Sequence, residues 1–384
     1  MGVYGEYLDR QFNFEQLTKE RKAQLRRIAE ARGGRDVLVI AADLNKPQAP
    51  VAIGYEDRLP VHDQLANLSG KALDLILETP GGSGEVAEDI VNMLRAKYDD
   101  VAVIVPGYAK SAGTMIAMAA DDILMESVSA LGPIDAQLHW QGKVFSAQAL
   151  LAGMEKIKDE VVRSGSLNKA YIPMLQGISP GELQDAENAL QFTQEVVADW
   201  LAKCKFKNWT IHSSSGKPVS DEDRKGRAQE VAAQLCDHER WRRHGRSLRI
   251  ADLVGMRLRI TDYGAMPDLA DAVRRYYALL QMTFATNIYK IFETPDSQIL
   301  RFIVQAVPAP AEKPGNVAVL EVRCQRCRTV SKVQANLGQQ QPLEEGHLPF
   351  PKDNRLNCPS CGALIDLSQA RRQLEMQTKK PVVA

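Results

Sequence analysis

Four short apolar runs in the first third of the chain restrict its fold most strongly, because none of them alternates. "RDVLVIAADL" (35–44), "ALDLILET" (72–79), "VAVIVPG" (101–107) and "DILM" (122–125) are apolar at consecutive positions. A strand with one face in water alternates apolar and polar residues, so runs of this kind belong to strands covered on both faces. Segments of helical character separate them, at 61–69, 84–98 and 111–120. Strands alternating with helices give βαβ units, so the expected class is α/β with a largely parallel sheet.

Around this core, residues 13–33 read as an amphipathic helix with Leu17, Leu25 and Ile28 on its apolar face. Residues 147–241 read as helical, with breaks near Gly165 and Ser166, at "GISPGE" and at "HSSSGKPVSDED". Residues 247–263 read as a short helix followed by a strand, and "MPDLADAVRRYYALLQMTFATNIYKIFE" as one long amphipathic stretch. Pro308, Pro310 and Pro314 mark 307–316 as a linker. The expected domains are therefore a core of 1–306 with added helices, the linker, a small module at 317–368 and a polar tail at 369–384.

Composition narrows the function. The 384 residues carry 48 Lys plus Arg and 48 Asp plus Glu, a net charge of zero. That balance speaks against a mainly electrostatic nucleic-acid binder. "MGVYGEYLDR" has no apolar segment of a secretory signal, and Glu6 stands where a myristoylation motif wants Ser or Thr. No apolar run reaches the roughly 18 residues that span a bilayer. The expectation is a cytoplasmic protein that does not enter membranes.

Two strand-to-helix turns carry the chemistry. In "LETPGGSGEVAEDIV", Gly81 and Gly82 follow a strand and open a helix; in "GYAKSAGTMIAM", Ser111 does the same, flanked by the small residues Ala109, Ala112 and Gly113. In a parallel sheet both turns fall at carboxyl ends of strands, the edge where open α/β sheets bind ligands. A pair of exposed glycine N–H groups facing a Ser hydroxyl is the layout of an oxyanion hole opposite a nucleophile. The plain alternative for Ser111 is a helix N-cap; for the glycines it is a tight turn or a phosphate cradle. "PGGSGEVAEDI" fits neither the dinucleotide fingerprint nor a P-loop, since it lacks the third glycine in place and the Lys-Ser/Thr pair.

"LETPGG" and "AKSAGTMIAMAADDILM", followed by "SALGPIDAQ", resemble the Clp/crotonase-fold serine peptidases, which include the Clp protease proteolytic subunit and signal peptide peptidase A. Within them the chain most resembles the serine dehydrogenase proteinase family. The resemblance covers roughly residues 5–300 and is strongest from 35 to 140. It implies a peptidase with Ser111 as nucleophile, the Gly81–Gly82 loop and the N–H of Ala112 as oxyanion donors, a polypeptide substrate, and a homo-oligomer.

A Ser hydroxyl needs a base. Where the Clp subunit has its His, this chain reads Pro133 to Asp135, with no His before His139. Where signal peptide peptidase A has its Lys, this chain offers Lys143, Lys156 and Lys158, none in a matching pattern. His244, in "WRRHGRSLRI", is the remaining candidate, with Asp135 assisting it and Lys156 or Lys158 as the fallback. The bland readings are a solvated His among arginines and an Asp that caps a turn. Lys110 points away from Ser111 by strand parity.

Cys324 and Cys327, then Cys358 and Cys361, form C-x2-C-x30-C-x2-C. Each CxxC presents two thiolates to one tetrahedral ion, so the pairs read as a zinc ribbon with a structural Zn2+. Its mild charge favours protein recognition over nucleic acid. Cys204 and Cys236 read as packing residues. Two alternatives to a peptidase stay open on the same fold: a crotonase-type acyl-CoA enzyme, and an inactive scaffold that binds peptide without cutting it.

Overall fold

The computed structural model describes residues 2–140, 143–213, 215–303 and 316–383. The expected linker, apart from Asn316, lies outside the described residues. Two compact units result, Met1–Ile303 and Val304–Ala384.

The first unit opens with α1 (Val3–Asp9) and α2 (Phe14–Ala31), then β1 (Asp36–Ala42), α3 (Arg58–Ala66), β2 (Ala72–Glu78), α4 (Gly84–Lys97) and β3 (Asp100–Ile104). The short β4 (Tyr108–Ala109) leads into α5 (Ala112–Met118), followed by β5 (Asp122–Met125) and β6 (Ala130–Leu131). A hairpin of β7 (Gln137–Trp140) and β8 (Lys143–Ser146) precedes the helices α6 (Ala147–Ser164), α7 (Ile172–Leu175), α8 (Pro180–Trp200), α9 (Asp221–Cys236), α10 (His238–Trp241) and α11 (Ile250–Gly255). The unit closes with β9 (Thr261–Asp262), α12 (Pro267–Phe284), β10 (Ile288–Glu293) and β11 (Gln298–Phe302).

The main sheet has the order β11-β10-β1-β2-β3-β5-β9. All neighbours from β1 to β9 are parallel, and only the β10–β11 hairpin at one edge runs antiparallel. The class is the expected one. It follows from burial on both faces. Leu38, Ile40, Leu73, Leu75 and Leu77 join Val86, Ile90 and Met115 in one apolar cluster. Their strand neighbours Val37, Val39, Ala41, Ile76 and Ile104 join Leu25 and Ile28 of α2 and Val273, Tyr276 and Leu280 of α12 in another. Successive strand residues thus face two covered layers, which produces the near-continuous apolar runs; Asp74 of β2 is buried among them only because Arg32 and Arg35 pair with it at 2.8 and 2.6 Å.

Two details depart from expectation. The long stretch ending in "NIYKIFE" is not one element: its helix stops at Phe284 and "IYKIFE" is a strand paired with β1. The aromatic and β-branched residues there suit a pleated surface, and pairing with a central strand outweighs helical periodicity. Within α2, Arg21 is fully buried rather than on the charged face: its Nε donates to Glu293 Oε1 at 3.1 Å and its Nη1 to Thr283 at 2.8 Å. That buried pair fastens α2 to β10.

Beyond the carboxyl ends of the strands the chain adds a small second layer. Thr79, just past β2, bridges Ala109; β4 pairs in parallel with β6; and Leu131 bridges Leu248. These links gather the turns after β2, after β4 and before α11 at one edge.

In the second unit β12 (Val317–Arg323) and β13 (Val330–Leu337) form an antiparallel pair, extended by β14 (Leu348–Pro349). β15 (Arg355–Asn357) pairs with β16 (Leu364–Asp366). The segment read as a polar tail carries α13 (Ser368–Thr378) and β17 (Val382–Val383), the latter on the free side of β13. Val382 and Leu367 are buried there with Val333 and Phe350, so a few apolar residues in a polar segment suffice to dock it.

Candidate active site

Ser111 stands on a sharp turn between β4 and α5 with φ 48° and ψ −115°, a conformation L residues rarely adopt. It occupies the N-cap position of α5 but its side chain makes no cap hydrogen bond. The plain N-cap reading is therefore not realised, and the hydroxyl is left over. Close packing beneath it explains its small neighbours: a Cβ on Gly113 would lie 2.4 Å from Thr79 Cγ2.

The glycine pair meets this turn. A Cβ on Gly81 would fall 2.6 Å from Ser111 Cβ, and one on Gly82 would fall 2.3 Å from the Ile53 carbonyl oxygen. Their φ values, +104° and +152°, are also accessible mainly to glycine. Ile53 N–H donates to Gly81 O at 2.7 Å, and Ser83 N–H donates to Ile53 O at 3.0 Å, which pins the loop. The two glycines differ in their donors. Gly81 is buried and its N–H donates to Thr79 Oγ1 at 3.1 Å, whereas Gly82 is exposed. Among the described residues the N–H groups of Gly82 and Ala112 have no acceptor.

Opposite lies a carboxylate with two imidazoles. Asp135 is only 3% exposed. Its Oδ1 receives a short hydrogen bond from His244 Nδ1, while Oδ2 lies 3.1 Å from His238 Nδ1 and accepts from Gln137 Nε2 at 2.8 Å. Burial pushes this carboxyl up, but the hydrogen bond and charge of His244, then those of His238, outweigh it and hold the group below its ordinary value. An ionised carboxylate only accepts, so His244 donates to it from Nδ1, and in the neutral imidazole Nε2 then holds the lone pair that a base needs.

Ser111, Gly82, Asp135 and His244 line one cleft of about 620 Å³. Met115, Ile134 and Phe192 give it apolar walls, and Glu85 sits among its lining residues. Among the described residues no hydrogen bond joins Ser111 to His244, a contact that often tightens only when substrate is bound.

The lysines fare differently. Lys156 and Lys158 lie exposed on α6, Lys158 paired with Glu155 at 2.8 Å, and neither lines the cleft. As fallback bases they are corrected by the amphipathic packing of α6, which turns its charged face to water. Lys110 lies outside the cleft lining too, in agreement with strand parity. Its Nζ donates to Leu131 O (3.2 Å), Arg246 O (3.0 Å) and Ser247 Oγ (2.9 Å), tying the segment that carries His244 to the Ser111 turn. Burial, aided by the charge of Arg249, lowers this amine to about 8. The side chains of His139 and Lys143 lie outside the described residues.

His238 escaped sequence reasoning. The available signal was its nearness to His244 in a chain with only six histidines. Glu78 escaped as well. It ends β2 beneath the glycine turn, accepts from Tyr108 N–H at 2.8 Å and from the Tyr277 hydroxyl at 3.2 Å, and burial pushes its carboxyl up to about 8.

In the second unit the two CxxC segments fold alike. Arg328 N–H donates to Cys324 O and Gly362 N–H to Cys358 O, both at 2.9 Å, with Arg328 and Gly362 left-handed. The four sulfur atoms lie within 4.8 Å of one another. Two matching knuckles and four thiols at one point fit a single tetrahedral metal ion.

Residues 7–178 match the model of the ClpP-like SDH-type serine proteinases. The matched segment includes both turns of the cleft, Gly81–Gly82 and Ser111. Two uncharacterized proteins of Methanocaldococcus jannaschii are similar: MJ0137 is 37% identical over 116 residues, 30% of this chain and 41% of that protein. MJ1495 is 34% identical over 138 residues, 36% of this chain and 46% of that protein. The chain thus spans less than half the length of either relative. Among solved structures, a mutant of the 1510-N membrane-bound stomatin-specific protease shares 25% identity over 30% of this chain and 60% of that one, with a TM-score of 0.21. ClpP1 from Listeria monocytogenes shares 19% over 42% and 90%, with a TM-score of 0.23. A monofunctional enoyl CoA isomerase from M. smegmatis shares 14% over 53% and 91%, with a TM-score of 0.21. Scores this low carry no argument about which chemistry the cleft performs. No helix among the described residues is long and apolar enough to cross a membrane.

Proposed function

We propose that the first unit is a serine peptidase in which Ser111 is the nucleophile, His244 the general base and Asp135 the residue that orients and charges the imidazole. The observation that carries this reading is the hydrogen bond from His244 Nδ1 to the buried Asp135, in the same cleft as Ser111. The Ser111 oxygen attacks the scissile carbonyl carbon while its proton passes to His244 Nε2. The carbonyl oxygen becomes an oxyanion, held by the N–H groups of Gly82 and Ala112. Collapse breaks the C–N bond, and the amine leaves with the proton from Nε2. Water, deprotonated by the same imidazole, then releases the acyl group and restores Ser111. Gly81 serves this turn by its lack of a side chain rather than by its N–H, which Thr79 occupies.

In chain order the three residues run Ser, Asp, His. Asp135 takes the region where the Clp-type His is expected, and His244 enters from the segment before α11. The four cysteines Cys324, Cys327, Cys358 and Cys361 hold a structural zinc ion, and the second unit docks substrate or a protein partner. A homo-oligomer in the cytoplasm with polypeptide substrates completes the proposal, carried by the family resemblance.

A fluorophosphonate probe tests the chemistry without a known substrate. Wild-type protein should be labelled at Ser111, Ser111→Ala should not, and His244→Ala should be labelled far more slowly. Absence of labelling in the folded wild type would instead favour a scaffold that binds peptide without cutting it.

A further inference from the structure

A second cavity, larger than the cleft, opens at the opposite edge of the main sheet. It has a volume of about 940 Å³ and is lined at the start of β5 by Asp121 and Asp122, and before and at β9 by Arg257, Arg259 and Thr261. These are amino ends of parallel strands, whereas Ser111 and Gly82 lie beyond carboxyl ends. The cavity is therefore separate from the proposed active site.

Its charge is unbalanced. Asp121 is engaged by Arg95 at 2.8 Å and by Lys207 at 2.5 Å. Asp122 accepts the Thr261 hydroxyl at 2.8 Å and faces the buried Lys205 amine at 3.5 Å. The acids are thus already matched by cations. Arg227 is paired with Glu230 at 2.6 Å. Arg257 and Arg259, both exposed at the rim, have no side-chain acceptor among the described residues. Two guanidinium groups without partners at one cavity make a receptor for multiply charged oxyanions such as phosphate, whose paired oxygens a guanidinium fork can bind in bidentate fashion.

Arg257 also stands in an unexpected conformation. It follows α11 at φ 64°, with Arg257 N–H donating to Val254 O at 2.8 Å and Leu258 N–H to Leu253 O at 3.0 Å. This is the left-handed helix end at which glycine is the favoured residue. An arginine accepts backbone strain there, and rare backbone states of this kind cluster at ligand sites. The rest of the lining mixes the aromatic and apolar Phe206, Trp209 and Ile211 with the polar Asn208, Ser213 and His212, whose Nε2 lies 3.4 Å from Asp223.

We propose that this cavity binds a small phosphorylated ligand, with Arg257 and Arg259 on the phosphate groups and the Phe206–Trp209 wall against an apolar or flat remainder. Calorimetric titration of the full chain with inorganic pyrophosphate and with ADP tests it. Pyrophosphate should bind, ADP should bind more tightly, and the variant R257G/R259A should weaken both by about tenfold or more. The single variant Arg257→Gly should melt no lower than wild type, because glycine relieves the left-handed strain, so lost binding in it is not lost folding. No binding of pyrophosphate, or binding undiminished in R257G/R259A, would overturn the proposal. ADP binding no tighter than pyrophosphate would overturn the role given to the aromatic wall.

Discussion

Replacing Asp135 with asparagine tests the proposed centre most directly, because it removes one charge and almost no volume. Asp135 is buried and its two oxygens serve three donors: His244, His238 and Gln137. Asparagine keeps one oxygen acceptor, so the imidazole can still be held, but the carboxylate that stabilises the imidazolium is gone. Opposite unit charges about 4 Å apart at an effective dielectric near 20 attract by about 4 kcal/mol. At about 1.4 kcal/mol per factor of ten, the step in which His244 takes the Ser111 proton should slow by about a thousandfold. The assay is the second-order rate of fluorophosphonate labelling, followed by intact mass, with circular dichroism to show that the variant is folded. A second readout separates stability from catalysis. The folded-state Asp135 carboxyl is held below its ordinary value of 3.8, so its stabilising contribution is present above pH 3.8 and lost as the pH falls through the lowered value. Wild type and Asp135→Asn should therefore differ in melting temperature at neutral pH and converge in acid. A folded Asp135→Asn that is labelled at the wild-type rate would refute the assignment of His244 and Asp135 together.

Further outcomes follow from other parts of the molecule. Glu78 is raised from 4.5 to about 8 by burial, so the folded state should lose stability as the pH climbs between those values; Glu78→Gln, which keeps an acceptor for Tyr108 and Tyr277, should abolish that slope in melting curves taken from pH 4.5 to 9. Gly82→Ala forces a Cβ against the Ile53 carbonyl at 2.3 Å and should lower stability by about 2 kcal/mol or more, measured by denaturant unfolding. Lys156→Ala and Lys158→Ala should leave the labelling rate within twofold of wild type, about the scatter expected of exposed positions. Cys358→Ser should reduce bound zinc from one ion per chain towards none by elemental mass spectrometry and loosen the second unit to proteolysis, since metal binding and folding are coupled in so small a module.

Some of this chain could be read without coordinates because the relevant physics is local. The non-alternating runs at 35–44, 72–79 and 101–107 can be stable only if both strand faces are covered, which settles a parallel sheet before any contact is known. Gly81 and Gly82 announce a turn with positive φ and close backbone approach, and the spacing of two CxxC pairs announces four thiols at one point. Pairing across distance was not legible in the same way. "IYKIFE" looks like the end of a helix until β1 offers it an edge, and Arg21 looks solvated until Glu293 and Thr283 surround it.

The site divides along the same line. The Ser111 turn, the glycine loop and the cysteine set were legible locally, because each is a short stretch whose residue types make sense only in one local geometry. Tertiary structure alone decided what faces them. Asp135 and His244 are separated by 109 positions, and His238 joins the same carboxylate from the start of α10. Nothing in their local sequence distinguishes an imidazole in a cleft from one among solvated arginines. The packing of α6 against solvent removed Lys156 and Lys158, and Thr79 took the N–H of Gly81. A covalent neighbourhood specifies a turn, but a hydrogen bond between distant segments exists only once the core beneath both has brought them together.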